Sequence, residues 1–292
     1  MPFAIPLILL SCQNASEIIT VQNKILTAEQ KEYWYQGEAE ISSFKIEQAR
    51  YGEMRSGTAV MIFVTEDFST KTFTKTEYTN VDKLSILKMN FTKNFNTGIY
   101  PYSLMTSTFV PFLENNHALK VSTSIQEWCG HVYMELIRKK KYYLQISSYF
   151  ENESQENLSL PLVHLEDELW SKIRISPNEL PVGDIQIIPA FTYLRFMHID
   201  AASQPCNAML QTSDSSSIYS LNYPDLERTV SISFQTNFPH EILSWEEEYF
   251  DGFGENKMRL KSTGTKIKMI KSSYWTKNKN SDSFYRKELG LE

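Results

Sequence analysis

Three side chains capable of chemistry follow one another in Gln126-Glu127-Trp128-Cys129-Gly130-His131. Read as one strand, the stretch puts Glu127, Cys129 and His131 on one face, roughly 6.5–7 Å between neighbours. A carboxylate, a thiol and an imidazole in a row could ligate a metal ion or relay a proton. Three in-line donors close a tetrahedron only if another strand adds to them. A plain strand with a semi-buried cysteine and a hydrogen-bonded histidine would carry the same residues. The row Tyr100, Tyr102, Leu104 and Thr106 is a second candidate. Its rings could line an amphipathic cavity, sit at a membrane interface, or serve as core and rim of a sheet. Glu246-Glu247-Glu248 reads as a solvated charge run rather than an acid/base pair.

The absences narrow the chemistry further. There is no G-x-S-x-G and no P-loop, and His240-Glu241 has no second histidine four residues after the first. Gly252 and Gly254 form a lone G-x-G without the third glycine of a G-x-G-x-x-G motif or a following helix. The five histidines, at 117, 131, 164, 198 and 240, show no metal-ligand spacing. No catalytic residue is assigned, no cofactor or metal is expected, and no nucleic-acid partner is expected.

The elements that must position these residues are strands. The chain has 292 residues, 41% hydrophobic and 13% aromatic, with only 10 glycines. Thr58 to Thr65 (TAVMIFVT) is apolar on both faces and too short for a confident helix. Tyr33 to Arg50, Leu84 to Phe91, Ile99 to Val110 and Leu119 to Ile137 are strand-like. Arg138-Lys139-Lys140-Lys141 marks a charged hairpin tip before Tyr142 to Phe150. The second half offers strands at Asp184 to Ile188, Ala190 to Ile199, Asn207 to Gln211, Val230 to Phe234, Glu241 to Tyr249, Lys257 to Leu260 and Thr265 to Ile270. Leu165 to Ile173 is the most helical stretch, acidic early and basic late. A short terminal helix is expected over Ser281 to Leu289. About a dozen strands with little helix predict an all-β fold, mainly antiparallel: a large curved sheet, barrel or half-barrel, with one or two short helices.

Net charge is −6, yet eight of the 29 basic residues lie between Lys257 and Lys279 with no Asp or Glu among them. Such a segment could meet an anionic surface. Lys257, Arg259 and Lys261 alternate with Met258 and Leu260, which favours the solvated face of a half-buried strand.

The first residues state an address. Phe3 to Leu10 is apolar, broken only by Pro6, and far too short to span a bilayer. Leu9-Leu10-Ser11-Cys12 has the form of a bacterial lipoprotein processing site. Residues 1–11 are therefore expected to be a signal peptide, Cys12 the lipid-attachment residue, 12–30 a tether, and 31–292 one β-rich domain with an internal boundary, if any, near 151–160. Gln13 in place of Asp points to the outer membrane, facing the periplasm. Of the three cysteines, Cys129 and Cys206 could then pair or stay as thiols.

Tyr33-Trp34-Tyr35 with Gly37, Glu47 to Glu53 (EQARYGE), Phe95 to Tyr102 (FNTGIYPY), Gln126 to His131 (QEWCGH) and Lys287 to Leu291 (KELGL) carry a resemblance over most of the chain. It resembles an uncharacterised family of Gram-negative envelope lipoproteins, often labelled "septum formation inhibitor Maf". The resemblance implies a lipid-anchored cell-envelope protein. Maf pyrophosphatases carry Ser-x-Ser-Pro-Arg-Arg on an α/β fold, whereas the only Ser-Pro here, Ser176-Pro177, precedes Asn178. No catalytic residue transfers. The expected function is non-enzymatic binding of an apolar or amphipathic ligand, or of an envelope partner. The alternatives are a Maf-type nucleotide pyrophosphatase and a structural envelope protein.

Overall fold

The structure is a computed structural model that describes residues 26–77, 82–112, 117–151 and 156–291. Sixteen strands are hydrogen-bonded into one sheet. In chain order they are β1 (Ala39–Arg50), β2 (Glu53–Ser69), β3 (Thr74–Lys75), β4 (Lys83–Thr97), β5 (Tyr100–Pro111), β6 (Lys120–Glu127), β7 (Gly130–Arg138), β8 (Tyr142–Ser148), β9 (Glu156–Leu160), β10 (His164–Leu165), β11 (Gly183–Ile188), β12 (Gln204–Thr212), β13 (Ser216–Tyr223), β14 (Arg228–Gln235), β15 (Ile242–Asp251) and β16 (Met258–Ser272). Four short helices accompany them: α1 (Ala28–Trp34), α2 (Glu166–Ile175), α3 (Phe191–Met197) and α4 (Phe284–Glu288).

The topology forces the sheet to curl. β16 pairs with β1, and from that seam neighbouring strands run outward to β9 on one side and, through α3 and α2 at its end, to β10 on the other. Laid flat, the fifteen strands of this path would be roughly 65–70 Å wide. Yet its two edge strands are consecutive in the chain, joined only by residues 161–163, which reach no more than about 14 Å. The sheet must therefore roll until its edges approach. Its ladders are antiparallel except the β10–β11 pair. The all-β expectation is met. The sheet also continues across 151–160, since β9 pairs with β8.

Inside the roll lies α2, found where the sequence is most helical. Trp170 packs against Phe91 of β4 and Trp245 of β15. Ser171 bonds Thr108 of β5, and the Arg174 guanidinium lies over Phe63 of β2. One ten-residue helix thus touches both halves of the sheet. Strand burial alternates accordingly: Arg228, Val230, Ile232 and Phe234 of β14 all face in. Gly264 leaves the space that Trp245 fills, because a Cβ there would meet the indole at 2.1 Å.

The two-faced apolar stretch of β2 has a specific cause. Ala59, Met61 and Phe63 join the interior core, whereas Val60, Ile62 and Val64 pack outward with Ala39, Ile41, Leu289 and Leu291. The C-terminal segment with α4 covers that outer face, so the terminal helix expected near 281–289 has a packing role.

Several expectations are corrected. Residues 28–30 are not tether but the first turn of α1, and Leu26 is buried in the core. The strand expected from Tyr33 begins only at Ala39, and the strand expected at Ala190 to Ile199 is α3. Four helices replace the one or two anticipated. The signal peptide expected over residues 1–11, the lipid attachment expected at Cys12 and residues 13–25 lie outside the described residues.

Candidate functional site

Buried ionisable groups concentrate in the interior. Three successive carboxylates open α2, where the helix dipole favours negative charge. Arg228 of β14 donates to both oxygens of Glu166 at 2.6 Å, Tyr223 adds a third bond at 2.7 Å, and Arg228 also reaches Glu247. Burial pushes Glu166 up, but the Arg228 guanidinium outweighs it and holds the carboxyl below its ordinary range. At the other end Arg174 grips Glu40 of β1 with a two-pronged contact, and Tyr33 donates to the same carboxylate. Asp167 accepts from the Phe191 backbone N–H at 3.0 Å, capping α3 from outside its own segment. Burial, helped by the neighbouring Glu166 charge, outweighs the Phe191 N–H, Arg228 and Lys93 and pushes Asp167 up to about 7.

Little room remains around these groups. The cavity between α2 and the wall, edged by Lys93, Asp167, Trp170 and Trp245, holds about 30 Å³. The one beside α3, edged by Met134, Leu194 and Ala201, holds about 60 Å³. Ligand pockets are typically about 300–1,000 Å³, so neither takes a lipid chain.

The rim is different. β6 and β7 form a hairpin in which Glu127 faces Gly130, leaving Trp128 and Cys129 as the two turn residues. The single-strand placement of Glu127, Cys129 and His131 is thereby corrected: the chain turns at Trp128-Cys129, and a carboxylate bond holds the turn. Glu127 accepts the Cys129 backbone N–H at 2.6 Å. A Cβ on Gly130 would stand 2.7 Å from the Phe150 ring, so glycine lets that ring close on the turn. The hairpin residues 126–131, with Pro101 and Ser103 of β5 and with Tyr149, edge an open cleft of about 650 Å³. Trp128 and Tyr149 project there, 69% and 77% exposed. A second surface cleft, of about 460 Å³, is edged by Tyr35, Glu66, Tyr274 and Trp275.

Cys129 is not an activated thiol. The Glu127 carboxylate, which its thiol hydrogen-bonds, pushes its pKa up. Cys206 is buried on β12, and both are free. In the tyrosine row, Tyr102, Leu104 and Thr106 are buried. Tyr102 stacks on Phe95 at 5.1 Å and, with Tyr51 and Phe196, cages Arg50. Tyr100 sits 6.4 Å from Trp128 at the rim. The basic run is paired across strands: Arg259 with Glu248 and Lys261 with Glu246, while Glu247 turns inward to Arg228. It forms the solvated strand face that its alternation favours.

A cluster outside all these expectations joins His164 and Glu168, four residues apart, with the distant His117.

Fold and site together define an all-β protein, one antiparallel sheet rolled around a central helix with an open aromatic cleft at its rim. No family model and no curated protein matches the chain. A similar solved structure is the beta-barrel-like protein of domain of unknown function DUF1849 from Brucella abortus. It has a TM-score of 0.48 and 9% identity, over 80% of this chain and 98% of that chain.

Proposed function

We propose that this is a lipid-anchored, non-enzymatic binding protein of the cell envelope that takes an amphipathic ligand, or the apolar segment of an envelope partner, in the rim cleft. The observation that carries the reading is the contrast in space. The interior is filled, whereas the cleft beside Trp128 and Tyr149 is large enough for an acyl chain or a peptide side. Exposed aromatic rings with polar tips suit a ligand that is apolar on one side and wet on the other.

The anchor rests on Leu9 to Cys12 and on the likeness to the lipoprotein family. Two acyl chains suffice for stable attachment, each buried methylene contributing roughly 0.8 kcal/mol. No helix among the described residues is long and apolar enough to cross a membrane. Nothing in the site favours the nucleotide reading that goes with the Maf label.

Two experiments test this proposal. Native-expressed protein is expected to lose residues 1–11, gain acyl mass and sediment with membranes, all of which Cys12→Ala abolishes. A soluble, unprocessed wild type would end the envelope reading. Delipidated protein is expected to take up a fluorescent fatty acid, at least tenfold more weakly as Trp128→Ala, and to release no pyrophosphate from a nucleoside triphosphate panel. No uptake would end the ligand reading.

A further inference from the structure

We propose that His117, His164 and Glu168 form a site for a divalent transition-metal ion of the zinc class. They come from three elements: the segment ahead of β6, strand β10 and the first turn of α2. Their donor atoms all lie within 4.8 Å of one another. Glu168 Oε1 is 2.9 Å from His117 Nδ1 and 3.9 Å from His164 Nδ1. The two imidazoles stand 5.1 Å apart, edge to face. Two imidazoles and one carboxylate are a donor set that zinc accepts, with a fourth position left for water. Ligand atoms in a tetrahedral zinc site lie roughly 3.3 Å apart, so His164 needs to close by about an ångström.

The carboxylate is already fixed for that role. Glu168 is fully buried, and its Oε2 accepts the Ala118 backbone N–H at 2.6 Å, leaving Oε1 toward the imidazoles. The histidine side chains are 22% and 32% exposed, so an ion and its water can reach them.

A purely structural network explains part of this. His117, Ala118 and Lys172 satisfy Glu168 without any ion. It does not explain His164. Its buried Nδ1 faces Glu168 Oε1 at 3.9 Å, too far for a good hydrogen bond, and no other described residue is in hydrogen-bond reach. Leaving such a group poorly paired is unfavourable, and a metal–nitrogen bond would remove that penalty. Lys172 is the competitor: its Nζ lies 2.7 Å from the same Oε1, on a flexible stem that can swing away.

The test uses the full-length mature chain, stripped of metal and dialysed against zinc, with bound metal measured directly. One equivalent is expected. His164→Ala should weaken binding at least tenfold, and His131→Ala should leave it unchanged, which separates this site from the rim hairpin. Lys172→Gln should bind zinc at least as tightly as wild type, an effect that a structural ion pair would not produce. Cobalt in place of zinc should give visible absorption that His164→Ala removes. No stoichiometric binding, binding undiminished in His164→Ala, or weaker binding in Lys172→Gln would each overturn the proposal.

Discussion

The interior around α2 and the rim around Trp128 use opposite chemistry. The interior holds buried carboxylates, and the wall supplies an arginine to Glu166 and α2 supplies one to Glu40. The rim holds exposed rings on a tight hairpin, and its one buried-type device is a carboxylate that turns the chain. The first arrangement fixes a helix within a rolled sheet and leaves almost no volume. The second leaves volume and fixes little beyond the turn. Charge at Glu166 and Glu40 therefore marks architecture in this protein, and exposed aromatic surface marks the face proposed for binding.

The largest expected effect comes from breaking the interior pairing. Arg228→Met leaves Glu166 buried without its guanidinium, and such a loss costs roughly 3–5 kcal/mol. Denaturant unfolding checks this. A loss under about 1 kcal/mol would mean that solvent enters and that the contrast with the rim is false. A smaller effect concerns Asp167. Folded, it keeps its proton up to about pH 7; unfolded, it releases it near its ordinary 3.8. The folded state thus holds an extra proton between those values, and this group's contribution to stability falls as pH rises through that window. Asp167→Asn should flatten that fall, a relative gain on the order of 1–3 kcal/mol at about pH 8 over pH 5. An unchanged slope would show that Asp167 is not buried in a closed interior. The smallest effect belongs to the rim. Trp128→Ala should change stability by no more than about 0.5 kcal/mol while weakening amphiphile binding at least tenfold. A large stability loss would make Trp128 a packing residue.

Local pattern carried most of the architecture. The basic tip at Arg138 to Lys141, the alternation of Lys257, Arg259 and Lys261, and the acidic-to-basic run of α2 are each written within a few residues. The roll itself followed from strand count and the scarcity of helix. Non-local features were not legible. α3 looks like a strand because Phe191, Tyr193 and Phe196 favour sheets, and its cap comes from Asp167, 24 positions earlier. The only local hint was the spacing of three in Phe191 to Leu194 and Tyr193 to Phe196. At the candidate site, the pattern puts Glu127, Cys129 and His131 on one strand, whereas the turn at Trp128-Cys129 contains no glycine and is held by a Glu127 bond that periodicity does not show. His164 and Glu168 stand four residues apart, a local signal that histidine spacing alone passes over, but His117 lies 51 residues from Glu168, and no spacing rule joins it to them.

The most direct test of a rim-bound ligand is quenching of tryptophan emission by a brominated fatty acid, which acts only on contact. Trp170 and Trp245 are in the interior, Trp128 is at the rim cleft, and Trp275 is at the second cleft. Saturable quenching is expected in wild type and in Trp275→Phe, and its loss is expected in Trp128→Phe. Quenching that persists in Trp128→Phe would place the ligand elsewhere and contradict the account.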